Sequence, residues 1–268
     1  MPAPVSADTD SDSTLRPPGL LKLALEGRAP WEFAALLAAA PWLRQLPSGD
    51  GHPVIVFPGL GVSDFSTVPM RSFLSDRGYE PHPWRQGFNF GPRHGVLEAC
   101  VEQLRALHYR HGQGVSLIGW SLGGIYAREL AKEHPDLVRC VITLGSPFAG
   151  HPRATNAWRF FEFVSGQSAH DPEVIAGIRQ PPAVPTTSIY SRSDGVVAWQ
   201  CSQNPDLPHT ENIEVRASHV GMGLNPLTMY LIADRLRQPA GRWQRFEADG
   251  AKRWFFKPTP ARAEPAAA

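Results

Sequence analysis

Cysteine is scarce in this sequence: the 268 residues contain three, Cys100, Cys140 and Cys201. Three cysteines allow at most one disulfide, and their spacing matches no metal-binding motif. This argues against a disulfide-stapled secreted scaffold. We expect buried free thiols in a reducing compartment, which favours a cytoplasmic protein.

Charge and long apolar runs are scarce as well. Only 19% of the residues are charged and the formal net charge is +1. No basic stripe interleaved with aromatic side chains runs through the body of the chain, so we expect no nucleic-acid partner. The longest apolar stretch, "APWEFAALLAAAPWL", is interrupted by Glu32 and Pro41 and is shorter than the ~20 residues of a membrane span. We therefore expect a soluble protein with no transmembrane segment.

The two ends of the chain lack the patterning of a folded domain. "MPAPVSADTDSDSTLRPPG" is polar and acidic where a secretory signal needs a basic start and an apolar centre. We interpret residues 1–18 as a disordered leader and residues 240–268 as a largely irregular tail. We expect Trp254 and Phe255 to pin this tail to the surface of the domain. The apolar segment after the leader fits packing on the domain, a dimer contact or a membrane surface, and its few basic residues favour packing. The oligomeric state stays open.

Between residues 19 and 239, strand patterns alternate with helix patterns, and no internal repeat is present. Short apolar runs such as "HPVIVFPG", "LVRCVITLGSP" and "TTSIYS" alternate with segments of helical period such as "VLEACVEQLRALHYRHG" and "NPLTMYLIADRLR". With 42% hydrophobic residues, the chain is long enough to bury a sizeable core. The alternation predicts one α/β domain in which helices cover both faces of a mostly parallel sheet.

The stretch "SLIGWSLGG" changes from strand to helix at Ser121. The run before the serine is short and β-branched, and "LGGIYARELAKEH" after it has helical period. A serine that only caps a helix has no use for Gly119 and Gly123 on either side, whereas a tight turn that pushes a hydroxyl out of the backbone does. The Gly-x-Ser-x-Gly pattern therefore predicts a nucleophile at Ser121.

Two further strand ends carry the groups that such a nucleophile needs. In parallel sheets the chemistry gathers at the carboxyl ends of the strands. Asp194 follows "TTSIYS", and His219 follows "NIEVRA". The order Ser121, Asp194, His219 predicts a nucleophile, an orienting acid and a general base.

Other acids and histidines of the sequence fit these roles less well. Asp171 and Asp206 also lie between the serine and the histidine, but neither follows a strand-like run, and His209 precedes the last strand. His108 and His111 have i,i+3 spacing without a third ligand nearby in sequence, so we expect a solvated helix end and no metal.

The ordered elements resemble the α/β-hydrolase superfamily, and within it the small bacterial esterases and lipase-like members. The resemblance covers about Pro53 to Arg237 and rests on "FPGLG", "GWSLGG", "YSRSDGVV" and "SHVGM". It implies an α/β-hydrolase fold with a short cap or lid insertion. The oxyanion hole is expected from the backbone N–H groups of Leu122 and Leu60, with Gly61 as a rival to Leu60. Pro58-Gly59 replaces the His-Gly that many lipases carry in this loop.

Aromatic residues suggest where a substrate binds. Residues 149–185 are long for a plain crossover, and "NAWRFFEFVSGQ" within them fits either a lid helix or a buried crossover helix. The candidate substrate-binding residues are Trp120, Phe65, Phe88, Phe160 and Phe161.

Three functional hypotheses follow from these residues. The leading one is a serine hydrolase that cleaves small-molecule carboxylic esters with an apolar acyl group. The second is an acyltransferase that uses the same acyl-serine, and the third is a non-catalytic binding module on the same fold. None of them calls for a cofactor.

Overall fold

One seven-stranded sheet forms the centre of the molecule. The computed structural model describes residues 15–165 and 172–258. The strands are β1 (Pro53–Phe57), β2 (Glu80–Pro83), β3 (Val115–Trp120), β4 (Val138–Leu144), β5 (Thr186–Tyr190), β6 (Thr210–Glu214) and β7 (Lys257–Pro258). Their order in the sheet is β2-β1-β3-β4-β5-β6-β7. Every neighbouring pair from β2 to β6 is parallel, and only β7 runs antiparallel to its neighbour. The predicted mostly parallel sheet is confirmed.

Helices connect the strands. They are α1 (Leu20–Ala24), α2 (Ala29–Leu43), α3 (Val68–Asp76), α4 (Val96–His111), α5 (Leu122–Glu133), α6 (Trp158–Ser165), α7 (Pro172–Arg179) and α8 (Pro226–Leu236). Short 3-10 helices join several of them, including Leu25–Arg28 between α1 and α2 and Asp64–Thr67 before α3.

The sheet is covered on both faces, as predicted. Successive side chains of a strand point to opposite faces. Val54 and Val56 of β1 belong to one buried cluster together with apolar side chains of α2, α3 and α8. Ile55 and Phe57 belong to a second cluster with side chains of α4 and α5. The sheet is buried on both faces, which explains why the strand sequences are short continuous apolar runs.

The connection between β4 and β5 contains α6 and α7. Lys132 Nζ donates to the Gly177 carbonyl at 2.7 Å, and Arg128 Nη2 donates to the Gln180 carbonyl at 3.2 Å. These bonds tie the end of α7 to α5. Residues 166–171 lie outside the described residues, and the lid at 149–185 remains a prediction.

The chain ends depart in part from the expectations. Residues 1–14 of the predicted leader lie outside the described residues, but Leu15 packs against the small cluster around Val197. In the tail, Trp254 and Phe255 are exposed, and Phe256 is the buried residue instead. The predicted anchors were wrong because Phe256, next to the pairing of β7 with β6, is the ring that faces Tyr230 and Phe246. The rest of 240–256 is mostly irregular apart from a 3-10 turn.

None of the three cysteines forms a disulfide, and all three are buried. Burial raises the pKa of the Cys100 thiol to about 12, which makes it a poor nucleophile. Within 15–165 and 172–258, no helix is both long enough and apolar enough to cross a membrane.

Candidate active site

Ser121 occupies a sharp turn between β3 and α5. Its backbone has φ 53° and ψ −121°, a conformation that costs a non-glycine residue energy. A Cβ on Gly119 would lie 2.3 Å from the Gly124 Cα, and a Cβ on Gly123 would lie 2.4 Å from the Phe57 carbonyl oxygen. Both glycines are therefore required by the close approach of the helix to the sheet, and the turn holds the serine out of the backbone.

The structure brings Ser121, His219 and Asp194 together. The Ser121 Oγ lies 2.9 Å from His219 Nε2, within hydrogen-bond distance. His219 Nδ1 lies 2.7 Å from Asp194 Oδ2. The other carboxylate oxygen accepts backbone N–H groups from Val196 at 2.8 Å and Val197 at 2.7 Å. The carboxylate is thus held from one side and directed at the imidazole from the other.

Electrostatics favour a charged His219. Burial by itself lowers the pKa of His219, but the charge and hydrogen bond of Asp194, helped by the charge of Glu26, raise it above the usual 6.5. A raised pKa means that the site stabilises the imidazolium, the form that arises when the histidine takes a proton from serine.

The backbone beside Ser121 offers donors for an oxyanion. Leu122 is the first residue of α5, so its N–H has no acceptor within the helix. The loop after β1 passes close to the serine, since a Cβ on Gly59 would lie 3.4 Å from the Ser121 Cβ.

Asn89 fixes the conformation of that loop. The Asn89 side chain donates from Nδ2 to the Pro58 carbonyl at 2.8 Å. The Asn89 backbone carbonyl accepts the Gly61 N–H at 2.7 Å. Because the Gly61 N–H is already engaged, the Leu60 N–H is the better candidate for the second donor. Sequence reasoning missed Asn89, which lies in a different loop.

The competing residues lie in other surroundings. Asp206 pairs with Arg245 at 2.5 Å on the surface. His209 Nε2 lies 3.0 Å from the Pro182 carbonyl, before β6. Asp171 lies outside the described residues. Within the described part of the chain, Asp194 and His219 are thus the acid and imidazole that this geometry joins to Ser121.

The family follows from a comparison with known sequences. A family profile described as alpha/beta hydrolase fold matches residues 25–171, more than half of the chain. This chain belongs to that alpha/beta hydrolase family. No curated protein matches the sequence.

Solved alpha/beta hydrolases share the fold. Lipase B of Aspergillus fumigatus is 19% identical with a TM-score of 0.56, and the match covers 74% of this chain and 56% of that one. A monoacylglycerol lipase of Paleococcus ferrophilus is 14% identical with a TM-score of 0.53, covering 71% of this chain and 96% of that one. The mature lipase BlEst2 of Bacillus licheniformis is 15% identical with a TM-score of 0.55, covering 72% and 95%. At these identities the likeness shows the fold alone.

Glu26, near the N-terminus, joins the loop that carries Asp194 to the loop that carries His219. Glu26 Oε1 accepts the Gly195 N–H at 2.7 Å and the His219 N–H at 2.9 Å. Glu26 Oε2 accepts the Val220 N–H at 2.8 Å. One carboxylate therefore holds the backbone next to Asp194 and the backbone of His219 itself.

Neighbouring residues extend the same attachment. Arg28 Nη2 donates to the Ser193 side chain at 2.8 Å, and Glu32 Oε1 accepts the Ser218 N–H at 2.7 Å. A Cβ on Gly195 would lie 2.3 Å from the Lys22 carbonyl oxygen, and a Cβ on Gly221 would lie 1.9 Å from Glu32 Oε2. Gly195 and Gly221 are therefore contact points for the N-terminal segment.

Trp120 is placed differently from the prediction. It is 8% exposed, belongs to the buried cluster of the first face and donates from Nε1 to the His219 carbonyl at 3.0 Å. This placement does not fit the predicted substrate contact and favours a role in positioning His219. The physical reason is the alternation along β3, which puts Trp120 on the same face as Ile118.

The phenylalanines predicted to contact substrate fall into two groups. Phe65 is 84% exposed in the loop after β1, and Phe88 is 60% exposed after β2, where it stacks on Phe90. Phe161 is partly buried against the cluster of the second face. The side chain of Phe160 lies outside the described residues. The placement of Phe161 favours packing over an open lid, whereas Phe65 and Phe88 offer apolar surface at loops that follow strands.

Proposed function

We propose that this chain is a serine ester hydrolase that acts through an acyl-enzyme on Ser121. The observation that carries the proposal is the continuous chain of contacts from the strained Ser121 through His219 to Asp194. A strained turn of this kind costs free energy, and such strain is typical of active sites.

In the first half of the reaction, Ser121 Oγ attacks the ester carbonyl carbon while His219 Nε2 takes the hydroxyl proton. Asp194 accepts a hydrogen bond from Nδ1–H, which fixes the tautomer and stabilises the imidazolium. The carbonyl oxygen becomes an oxyanion, which Leu122 and Leu60 stabilise through their N–H groups. When the C–O bond to the leaving alcohol breaks, His219 gives the alcohol its proton.

In the second half, water replaces the alcohol. His219 takes a proton from the water, the hydroxide oxygen attacks the acyl carbon, and the bond to Ser121 Oγ breaks as the histidine returns the proton to the serine. The products are a carboxylic acid and the free enzyme. No cofactor takes part in either half.

The exposed rings of Phe65 and Phe88 support a substrate with an apolar acyl group. Burying a CH₂ group contributes roughly 0.8 kcal/mol, so acyl chains that reach these rings gain affinity with length.

A fluorophosphonate probe tests the nucleophile, since an activated serine attacks phosphorus as it attacks a carbonyl carbon. We expect one adduct per chain, located on Ser121 by peptide mass spectrometry, and no adduct with Ser121→Ala. Ser116→Ala is the matched control and should still be labelled. An adduct on another residue, or no adduct on folded protein, contradicts the proposal.

p-Nitrophenyl esters of increasing acyl length test the reaction. We expect steady release of carboxylic acid and a kcat/KM that rises with chain length. Competing alcohols and amines at low concentration are the second arm of the experiment. If the acyl group is transferred to these acceptors in preference to water, the result contradicts hydrolysis and favours an acyltransferase.

A further inference from the structure

Two histidines and a glutamate meet on the sheet edge, away from Ser121. Glu80 and His82 both lie on β2, two residues apart, and so point to the same face. His111 is the last residue of α4. His82 Nε2 lies 3.1 Å from Glu80 Oε1, and His111 Nε2 lies 3.3 Å from Glu80 Oε2. One ligand atom from each residue lies within 4.8 Å of the other two.

Hydrogen bonding does not account for this cluster. Although a Glu80 oxygen lies close to each, neither His82 Nε2 nor His111 Nε2 makes a hydrogen bond with the described residues, and both atoms are buried. His82 is only 8% exposed. A buried polar atom without a partner costs about 1–3 kcal/mol, which makes it a feature that needs a physical reason.

We propose that Glu80, His82 and His111 form a zinc-binding site. The donor set of two imidazole nitrogens and one carboxylate is one that Zn²⁺ uses. Zinc–ligand bonds of about 2.0–2.2 Å in a tetrahedron separate the ligand atoms by about 3.3 Å, close to the two nitrogen–oxygen distances here. Mg²⁺ and Ca²⁺ prefer sets made of oxygen atoms.

The fourth position of the tetrahedron would belong to water. The Glu80 side chain is 45% exposed, so solvent reaches the cluster from its side. A bound ion at this position joins the edge strand to the end of α4, the helix that covers β1 and β3. The site is thus expected to stabilise the fold, independently of the reaction at Ser121.

The sequence did not reveal this site because its ligands come from separate elements. Along the chain no third ligand lies near His108 and His111, which predicts a solvated helix end. The structure places Glu80 and His82, about thirty residues earlier, against His111. The predicted solvated helix end is therefore wrong for His111, whose side chain is only 15% exposed.

Zinc binding by the tag-free full chain tests the proposal. The protein is treated with a chelator, desalted and dialysed against Zn²⁺ at pH 7.5, and bound zinc is counted by elemental analysis. We expect one equivalent with a Kd of about 10 μM or tighter, and a rise in Tm with zinc. Titration with Co²⁺ should give the visible absorption bands of a tetrahedral ion, and zinc should remove them.

Variants locate the ion. His82→Gln, His111→Gln and Glu80→Gln should each weaken zinc binding by about 100-fold. His94→Gln, which removes an exposed histidine two residues before α4 begins, is the matched control and should bind zinc like the wild type. Circular dichroism and thermal unfolding check that each variant is folded. Glu80→Gln is the variant least prone to misfold, because the Glu80 side chain is 45% exposed.

The proposal is overturned if the folded wild type binds no zinc more tightly than about 1 mM. It is also overturned if the three variants bind zinc like the wild type, which would move the ion elsewhere. Neither result depends on whether Ser121 hydrolyses esters.

Discussion

Two serine–histidine–aspartate arrangements occur in this molecule, at opposite ends of β3. At one end, Ser121 contacts His219, and His219 contacts Asp194, at 2.9 and 2.7 Å. At the other end, His52 Nε2 lies 2.8 Å from Ser116 Oγ, and His52 Nδ1 lies 2.5 Å from Asp50 Oδ1. By these distances alone the two arrangements cannot be told apart.

The backbone separates them. Ser116 lies within β3, where it is fully buried and paired with Val54 and Cys140 in the neighbouring strands. A carbonyl group cannot approach it, and the strand's N–H groups are used by the sheet. Ser121 is partly exposed on a strained turn that leads into a helix with free N–H groups.

Charge separates them as well. Burial, together with the positive charge of Arg139, lowers the pKa of His52 despite its contact with Asp50. At His219, the charges of Asp194 and Glu26 overcome burial and raise the pKa. The comparison teaches that hydrogen-bond distances identify a constellation, whereas the turn, the access and the surrounding charges decide what it can do.

The largest expected effect comes from removing the carboxylate at each end. Asp194→Asn should lower kcat by roughly 10³ to 10⁴-fold, because His219 would settle in the wrong tautomer. Asp50→Asn should leave kcat within about twofold, since the His52 arrangement is buried away from substrate. Both are measured on a p-nitrophenyl ester, with thermal unfolding as the check on folding.

Either of two results breaks the comparison. Near-normal turnover in Asp194→Asn would mean that another acid orients His219. A large loss of turnover in folded Asp50→Asn would mean that the second arrangement takes part in the reaction.

A smaller effect is expected from Glu26→Gln. We propose Glu26 as a positioning residue, because an amide can no longer accept N–H groups on both of its ends, and the loops of Asp194 and His219 lose a common partner. Misplacing a catalytic group by 1 Å can cost about 100-fold, so kcat/KM should fall by roughly 10–100-fold. The charge of Glu26 also raises the pKa of His219, so the acidic limb of the kcat/KM profile should move to lower pH in the variant.

Glu98→Gln is the control for Glu26→Gln. It removes the same charge from an exposed position on α4 and should change neither kcat/KM nor the pH profile. Loss of activity in Glu26→Gln with the acidic limb unmoved would reduce Glu26 to a structural contact. Unchanged kcat/KM would remove the positioning role altogether.

The smallest effect concerns stability in acid at the His52 end. The folded-state pKa of Asp50 is lowered from its usual 3.8 to about 2, because hydrogen bonds from His52 and Arg139 outweigh burial. The ionised carboxylate therefore stabilises the fold fully above pH 3.8, and this contribution is lost as the pH falls towards 2. The difference corresponds to about 2.4 kcal/mol, reduced to about 1 kcal/mol because the side chain is half exposed.

Urea unfolding between pH 6 and 2 measures this effect. The free energy of unfolding should fall less steeply with acid in Asp50→Asn than in the wild type, by about 1 kcal/mol over that range. His52 acts in the same direction, since its lowered pKa means that protonation below pH 6.5 favours the unfolded chain. Parallel curves for the two proteins would show that Asp50 contributes nothing.

The sequence predicted the sheet and the meeting of Ser121, Asp194 and His219 because both depend on local patterns. Short apolar runs indicate strands, and parallel strands bring their carboxyl ends to one edge. Residues that follow different strands can therefore be placed together without knowing any long-range contact. The required glycines at the turn were equally local.

The rest depended on contacts that no local pattern carries. Glu26 and Asn89 act through single hydrogen bonds to loops elsewhere in the chain, and glutamate or asparagine in such positions looks like any other polar residue. The position of Trp120 could have been predicted from strand alternation, which puts Trp120 and Leu117 on opposite faces of the sheet. Its position beside the nucleophile suggested substrate contact and outweighed that pattern.

The long separation along the chain between Glu26 and His219 sets the time at which the site can form. Glu26 lies 169 residues before Gly195 and 193 residues before His219. At a synthesis rate of about 5–20 residues per second, the ribosome adds His219 roughly 10–40 s after Glu26. In the second half of that interval the growing chain contains Ser121 but not the imidazole of His219. The proposed chemistry at Ser121 would therefore begin only after the chain has been synthesised past its last parallel strand.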